Sequence, residues 1–201
     1  MSLKDVKKNF LVDIATDLFI CRSIQEVTIK DIAVSAQVGE ATIYRYFGKK
    51  QNLVVHAAMK LQEAVNSETF KLDEGENGFE KIKIFYLSYL QIFDSHPEFF
   101  KFINEFDAYM AGEQSDDMDS YETVVGQYKT AYMKAYEQGV KDGSIKTQNN
   151  VEMFYYSTTH ALLELCKKLS IKGAVLNQDV VIEKRAQIQC LVDIILSALI
   201  Q

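Results

Sequence analysis

Apolar residues recur along this chain at helical spacing almost from end to end. Val6, Phe10, Ile14 and Leu18 step by four, with Leu11, Ala15 and Phe19 beside them, which predicts a helix over about residues 3–22. The segment Ser23-Ile24-Gln25-Glu26-Val27 breaks that period. Thr28-Ile29-Lys30-Asp31 then has the form of a capping box, with Asp31 in place of the usual Glu or Gln. A short helix follows, with Ile32, Ala33 and Ala36 inward, and must stop near Gln37-Val38-Gly39. A second short helix is predicted from Glu40 to Phe47, and a longer one from Lys50 to about Leu72. After the breaker at residues 72–78, helical patterns cover 79–95, 97–109, about 119–140, 151–171 and 179–200. Neither strand alternation nor an internal repeat is present, so the expectation is an all-α chain of about nine helices. Two short helices joined by a tight turn outline a helix-turn-helix head on a helical-bundle body.

Composition narrows this further. A single Pro in 201 residues leaves the chain free to be helical almost throughout. With 48% hydrophobic residues there is ample material for a core, and disordered or collagen-like readings are disfavoured. Cys21, Cys166 and Cys190 are odd in number and far apart, so they form neither a disulfide framework nor a metal pair and read as small buried hydrophobes. The start MSLKDVKKNF lacks an apolar signal region. The longest apolar stretch, residues 188–200, is too short and too interrupted to span a membrane. A reduced, cytoplasmic protein is expected.

Charge changes the picture by its distribution. The net charge is −6. Yet residues 1–60 hold nine Lys/Arg against six Asp/Glu, and the rest holds 13 against 22. A basic head on an acidic body hints at a nucleic-acid contact at one end.

The segment from Thr28 to Leu53, TIKDIAVSAQVGEATIYRYFGKKQNL, carries the strongest signal. It resembles the head of the tetracycline-repressor (TetR) family of bacterial transcription regulators. Thr28, Asp31, Ile32, Ala33, Ala36, Val38, Thr42, Tyr44, Tyr46, Phe47, Lys50 and Leu53 match the family pattern, which covers about the first 55 residues. Gly139 to Ile145 also resembles a helix end common in these proteins. Three positions depart: Gln37 stands where the family has a turn Gly, Gly39 where Ser or Thr caps the recognition helix, and Lys49 where Ser, Asn or Asp caps the fourth helix. A recognition helix enters the major groove by its N-terminal part, so Glu40, Ala41 and Tyr44 are best placed for base edges. The resemblance implies that Thr42, Tyr46 and Lys50 contact phosphates; Arg45 is a further candidate, Thr28 offers its amide end and Lys30 a diffuse charge.

The body is aromatic-rich, and tyrosine is a costly core filler because each buried hydroxyl needs a partner. Converging tyrosines suit an apolar cavity with a few polar points. The resemblance places an effector pocket here, and its expected borders are among Tyr86, Tyr89, Phe93, Phe106, Tyr128, Tyr132 and Tyr155. An acidic, Tyr-rich body with few cations favours a neutral or cationic lipophilic ligand. The final helix is apolar nearly all round and must be covered on all sides, which predicts a homodimer through residues 151–171 and 179–200. His56, His96 and His160 have no carboxylate or Cys at metal spacing, and no catalytic motif is present, so neither metal, cofactor nor catalysis is expected.

The reading is therefore a dimeric DNA-binding regulator: a helix-turn-helix domain in residues 1–52, and a ligand-binding and dimerisation domain in 53–201. It would bind a palindromic operator as a repressor and leave it when a small effector changes the spacing of the two recognition helices. The alternatives are a helical-bundle enzyme acting on a small lipophilic substrate, and an effector-free DNA-associated scaffold.

Overall fold

The structure is a computed structural model that describes residues 2–171 and 182–200. It holds nine α-helices among those residues: α1 (Leu3–Cys21), α2 (Ile29–Ser35), α3 (Glu40–Phe47), α4 (Lys50–Thr69), α5 (Gly78–Ser95), α6 (Pro97–Met110), α7 (Met118–Asp142), α8 (Val151–Ser170) and α9 (Lys184–Ile200). α4 ends at Thr69, three residues before the predicted Leu72, and a 3-10 turn at Leu72–Glu74 opens the predicted breaker. The expected start of the last helix at residue 179, and the expected linker 172–178, lie outside the described residues.

Packing divides the chain into two compact units, Met1–Ala64 with Phe102–Val125, and Val65–Lys101 with Gly126–Gln201. The division expected at residue 52 is one of expected roles; the packing units are drawn differently, with residues 102–125 packed with the head.

In the first unit the inward face of α1 is Leu11, Val12, Ala15, Thr16 and Phe19. The stride-of-four stripe through Val6 and Phe10 is exposed instead. Both stripes have helical spacing, and packing decides between them: α1 packs on α2, and Ile32, Ala33, Ile43, Phe47, Leu53 and Ala57 of the same unit are buried. Thr28 caps α2 in a reciprocal box. Its hydroxyl accepts from the Asp31 amide at 3.1 Å, and its amide donates to Asp31 Oδ2 at 2.8 Å.

The turn after α2 is a Schellman motif. The Gln37 amide donates to Val34 O and the Val38 amide to Ala33 O. This geometry puts Gln37 at φ 54°, the one non-glycine residue with positive φ among those described. A Cβ in the left-handed region is strained.

In the second unit, α5, α8 and α9 bury Ile82, Phe85, Leu162, Cys166, Ile188, Val192 and Leu199. A Cβ at Gly78, which opens α5, would sit 2.0 Å from the Gly139 amide nitrogen, so the two backbones can touch only with glycine at 78. A Cβ at Gly139 would meet Ile145 at 2.3 Å. That is the physical content of the Gly139–Ile145 pattern. The last carbonyls of α9 are satisfied from the loop after α7: the Lys146 amide donates to Leu199 O and Gln148 Nε2 to Ala198 O. Of the cysteines, Cys166 is buried as expected, and its thiol is pushed up to about 12 by burial. Cys21 and Cys190 are exposed, which corrects the reading of all three as core.

Replacing the exposed Gln37 by Gly keeps both turn hydrogen bonds and removes the strain. Gln37→Gly should raise unfolding free energy by up to about 1 kcal/mol, read as a higher denaturant midpoint at unchanged slope.

Candidate nucleic-acid interface

The site is built on α3. Ile43 and Phe47 face the core, while Glu40, Ala41, Tyr44 and Arg45 are exposed on one eight-residue helix. Tyr44 is 50% exposed, far more than a core aromatic would be. Thr42 and Tyr46 are half-buried at the flanks, and the Arg45 guanidinium lies 5.5 Å over the Tyr46 ring. Gly39 caps the helix with no side-chain bond, as the departure from the family pattern predicts. The exposed carboxylate of Glu40 stands in the first turn, favoured by the helix macrodipole. Thr28 and Lys30 are exposed at the start of α2.

Lys50 sits differently from the other expected contacts. Its ammonium donates to Ile24 O and lies 5.0 Å over the Tyr109 ring. Burial holds its pKa below the usual lysine range, opposed by Asp31. Lys49 pairs with Asp116 at 3.4 Å. Gln51 Nε2 donates to Glu113 at 2.9 Å, and the Ile24 amide donates to Glu105 at 3.0 Å. The C-terminal half of α6 and the connection that follows it thus strap the start of α4 and the loop before α2. Sequence reasoning missed every strap residue, because nothing in the local pattern of residues 105–117 marks them as partners of the head.

The histidines are also less isolated than their spacing implies. His56 Nε2 lies 3.2 Å from Asp117 Oδ2, and His96 Nε2 bonds Glu68 at 2.7 Å. The His56 ring stacks edge-on against Phe47, 5.6 Å between centroids. Burial and the Lys8 charge lower its pKa below 6.5, against the opposing pull of Asp117.

Of the expected effector-pocket residues, six belong to the second unit and Phe106 to the first. Phe106 packs on Tyr121 at 5.1 Å. Tyr86 and Tyr132 are fully buried, and Tyr155 is buried. They meet ring to ring around Phe85: Phe85–Tyr86 at 5.2 Å, Phe85–Tyr132 at 5.1 Å and Tyr132–Tyr155 at 4.9 Å. The Tyr86 hydroxyl donates to the Tyr132 hydroxyl at 3.2 Å and lies 2.7 Å from the Thr158 hydroxyl. Tyr128 packs on Phe70 at 4.7 Å, Tyr89 lies 6.1 Å from Phe85 and Phe93 lies 6.5 Å from Phe100.

Residues 11–57 match the family model described as bacterial regulatory proteins, tetR family. The head is thus similar to that of the TetR family of bacterial transcription regulators. It is 25% identical over 154 residues to the HTH-type transcriptional repressor KstR2 of Rhodococcus jostii (strain RHA1), covering 76% of this chain and 74% of that protein. The fold is similar to that of PfmR, a TetR-family regulator from Thermus thermophilus, with a TM-score of 0.66 at 14% identity over 95% of this chain and 99% of the other. It is also similar to the ketosteroid transcriptional regulator KstR2 of Mycobacterium tuberculosis, with a TM-score of 0.64 at 14% identity over 96% and 95%. A head that matches a family of transcription regulators, and a transcriptional repressor as relative, set aside the helical-bundle enzyme. No helix among the described residues is long and apolar enough to cross a membrane.

A histidine whose pKa falls on folding contributes stability that is present above 6.5 and lost as pH falls below it. The thermal midpoint should therefore drop between about pH 7.5 and about pH 5.5, and His56→Gln should make that drop smaller. An identical drop in the variant would mean that His56 does not couple to folding.

Proposed function

We propose that this protein is a TetR-family regulator, a cytoplasmic homodimeric repressor that binds a palindromic DNA operator through residues 1–52, and that residues 53–201 receive a small lipophilic effector and form the dimer. The observation that carries the DNA reading is the exposed face of α3. Glu40, Ala41, Tyr44 and Arg45 project from a helix whose other face, Ile43 and Phe47, is fixed in the core. Glu40, Ala41 and Tyr44 read base edges. Thr42, Tyr46, the amide end of Thr28 and the exposed Lys30 meet phosphates. Lys50 joins them only by giving up Ile24 O, so its substitution would disturb the head as well as the contact.

The test is selection of bound duplexes from a random pool. A palindromic site is expected. Glu40→Gln should relax preference at one base pair per half-site, where a good contact discriminates by about 1–3 kcal/mol. Lys30→Ala should weaken all sequences alike and reduce the salt slope by about 1. Uniformly tighter binding by Glu40→Gln to every duplex would show that Glu40 acts through its charge alone.

The dimer reading rests on α8 and α9. Met153 and Tyr156 on α8, and Ile194 and Ile200 on α9, are exposed apolar side chains on helices whose other faces are buried. The last helix is not apolar alike on all sides: Ile195 is buried in its own subunit and Leu191 is half-buried, whereas Ile194 is 60% exposed. Ile194→Asp should therefore give a folded monomer by sedimentation, since its cost falls on the interface. A folded dimer with Ile194→Asp would move the interface elsewhere.

The ring-to-ring packing around Phe85 favours a second reading, in which the body holds no effector and serves only assembly. A calorimetric screen with neutral and cationic lipophilic compounds separates the two.

A further inference from the structure

Asn52 lies in the first turn of α4, is 6% exposed, and uses every hydrogen-bonding position of its side-chain amide. Nδ2 donates to Phe47 O at 2.8 Å and to Asp116 Oδ2 at 3.2 Å. Oδ1 accepts from the Ser115 hydroxyl at 2.9 Å and from the Asp116 amide at 3.1 Å. The amide cannot be reversed, because a flip would put its oxygen against Phe47 O and the Asp116 carboxylate, and its NH2 against the Asp116 N–H.

Phe47 O is the last carbonyl of the recognition helix. Beyond it Gly48 turns to φ 72°, so the helix ladder ends there. Asn52 therefore ties the C-terminal end of α3 to a segment 63 and 64 positions further along the chain. Around this tie, Lys49 pairs with Asp116, Gln51 with Glu113, and the Asp117 amide donates to Ser115 Oγ. The carboxyl of Asp116 is held below its usual range by Asn52 first and Lys49 second, so it is a charged acceptor at neutral pH.

We propose that Asn52 is a positioning residue for the recognition helix, and that Ser115 and Asp116, on the connection between α6 and α7, are the partners it requires. Operator preference then depends on a segment that meets no DNA. The inference rests on the DNA-binding reading only for that last consequence; the positioning itself is a property of the free protein.

The experiment compares the full chain with Asn52→Asp, Asp116→Asn and the double variant by amide hydrogen exchange and by binding to selected operator and unrelated duplexes. Asn52→Asp keeps the shape but sets a carboxylate against Phe47 O and Asp116. Exchange across residues 40–49 should speed by about tenfold or more, with α8 unchanged, and preference for operator over unrelated duplex should fall about tenfold. Adding Asp116→Asn restores a donor opposite residue 52 and should recover part of both losses. Ser115→Ala removes one bond without adding charge and keeps the test open should Asn52→Asp fail to fold; it should speed exchange in the same amides by about threefold. Unchanged exchange across residues 40–49 in Ser115→Ala, or a double variant that exchanges as fast as Asn52→Asp alone, overturns the proposal. The exchange measurements judge Asn52 without DNA, so they stand apart from the selection that judges the DNA reading.

Discussion

A helix of eight residues has almost no stability of its own in water, where isolated helices below about 12–15 residues are marginal. The recognition helix α3 is that short, and its N-cap makes no side-chain bond. It stands because Ile43 and Phe47 are buried, each contributing roughly 1.5–3 kcal/mol against exposure. It also stands because both of its ends are set from outside. The Schellman turn after α2 aims its start, and the amide of Asn52 holds its last carbonyl. Its outward face is free to carry Glu40, Ala41 and Tyr44 because no part of that face is needed for stability.

What was legible in the sequence is what local chemistry dictates. The Thr28–Asp31 box, the stop after Ala36 and the span Glu40–Phe47 are set by residues within four positions of one another, and all three stand in the structure. The left-handed Gln37 follows from the same local logic, since the turn geometry persists when its usual glycine is absent. The inward face of α1 was ambiguous because two stripes share one helical period, and only the identity of the packing partners separates them. The strap was not legible at all. Ser115, Asp116 and Asp117 look like an acidic loop, and their value lies in groups some sixty positions away, which no periodicity encodes.

The tyrosines of the body show the same limit from another side. Their helical spacing shows that they share faces, but not whether those faces close on one another or on a ligand. In the structure the Tyr86 phenol donates to the Tyr132 hydroxyl at 3.2 Å and can accept from the Thr158 hydroxyl at 2.7 Å. A buried phenol with that supply of partners no longer carries the cost that made a cavity attractive. Burial raises the Tyr155 phenol to about 12, so Tyr155 remains a neutral donor at any physiological pH.

Folding also redistributes the charge. The basic head counted along the sequence becomes, once residues 102–125 pack with it, a unit of nine Lys/Arg against fourteen Asp/Glu. Several of its cations are already engaged: Lys49 by Asp116, Lys50 by Ile24 O and Lys60 by Asp13. Affinity for DNA cannot then come from bulk positive charge, because the unit as a whole is net negative and its overall field is largely screened beyond a Debye length of about 8 Å. Inside that distance only the local surface counts, and there Lys30 and Arg45 stand exposed beside α3. Non-specific binding is almost purely electrostatic, and on the proposed reading such a surface offers it few free cations. On the proposed DNA reading, discrimination then rests on the exposed face of α3, which requires that short helix to be held where it is.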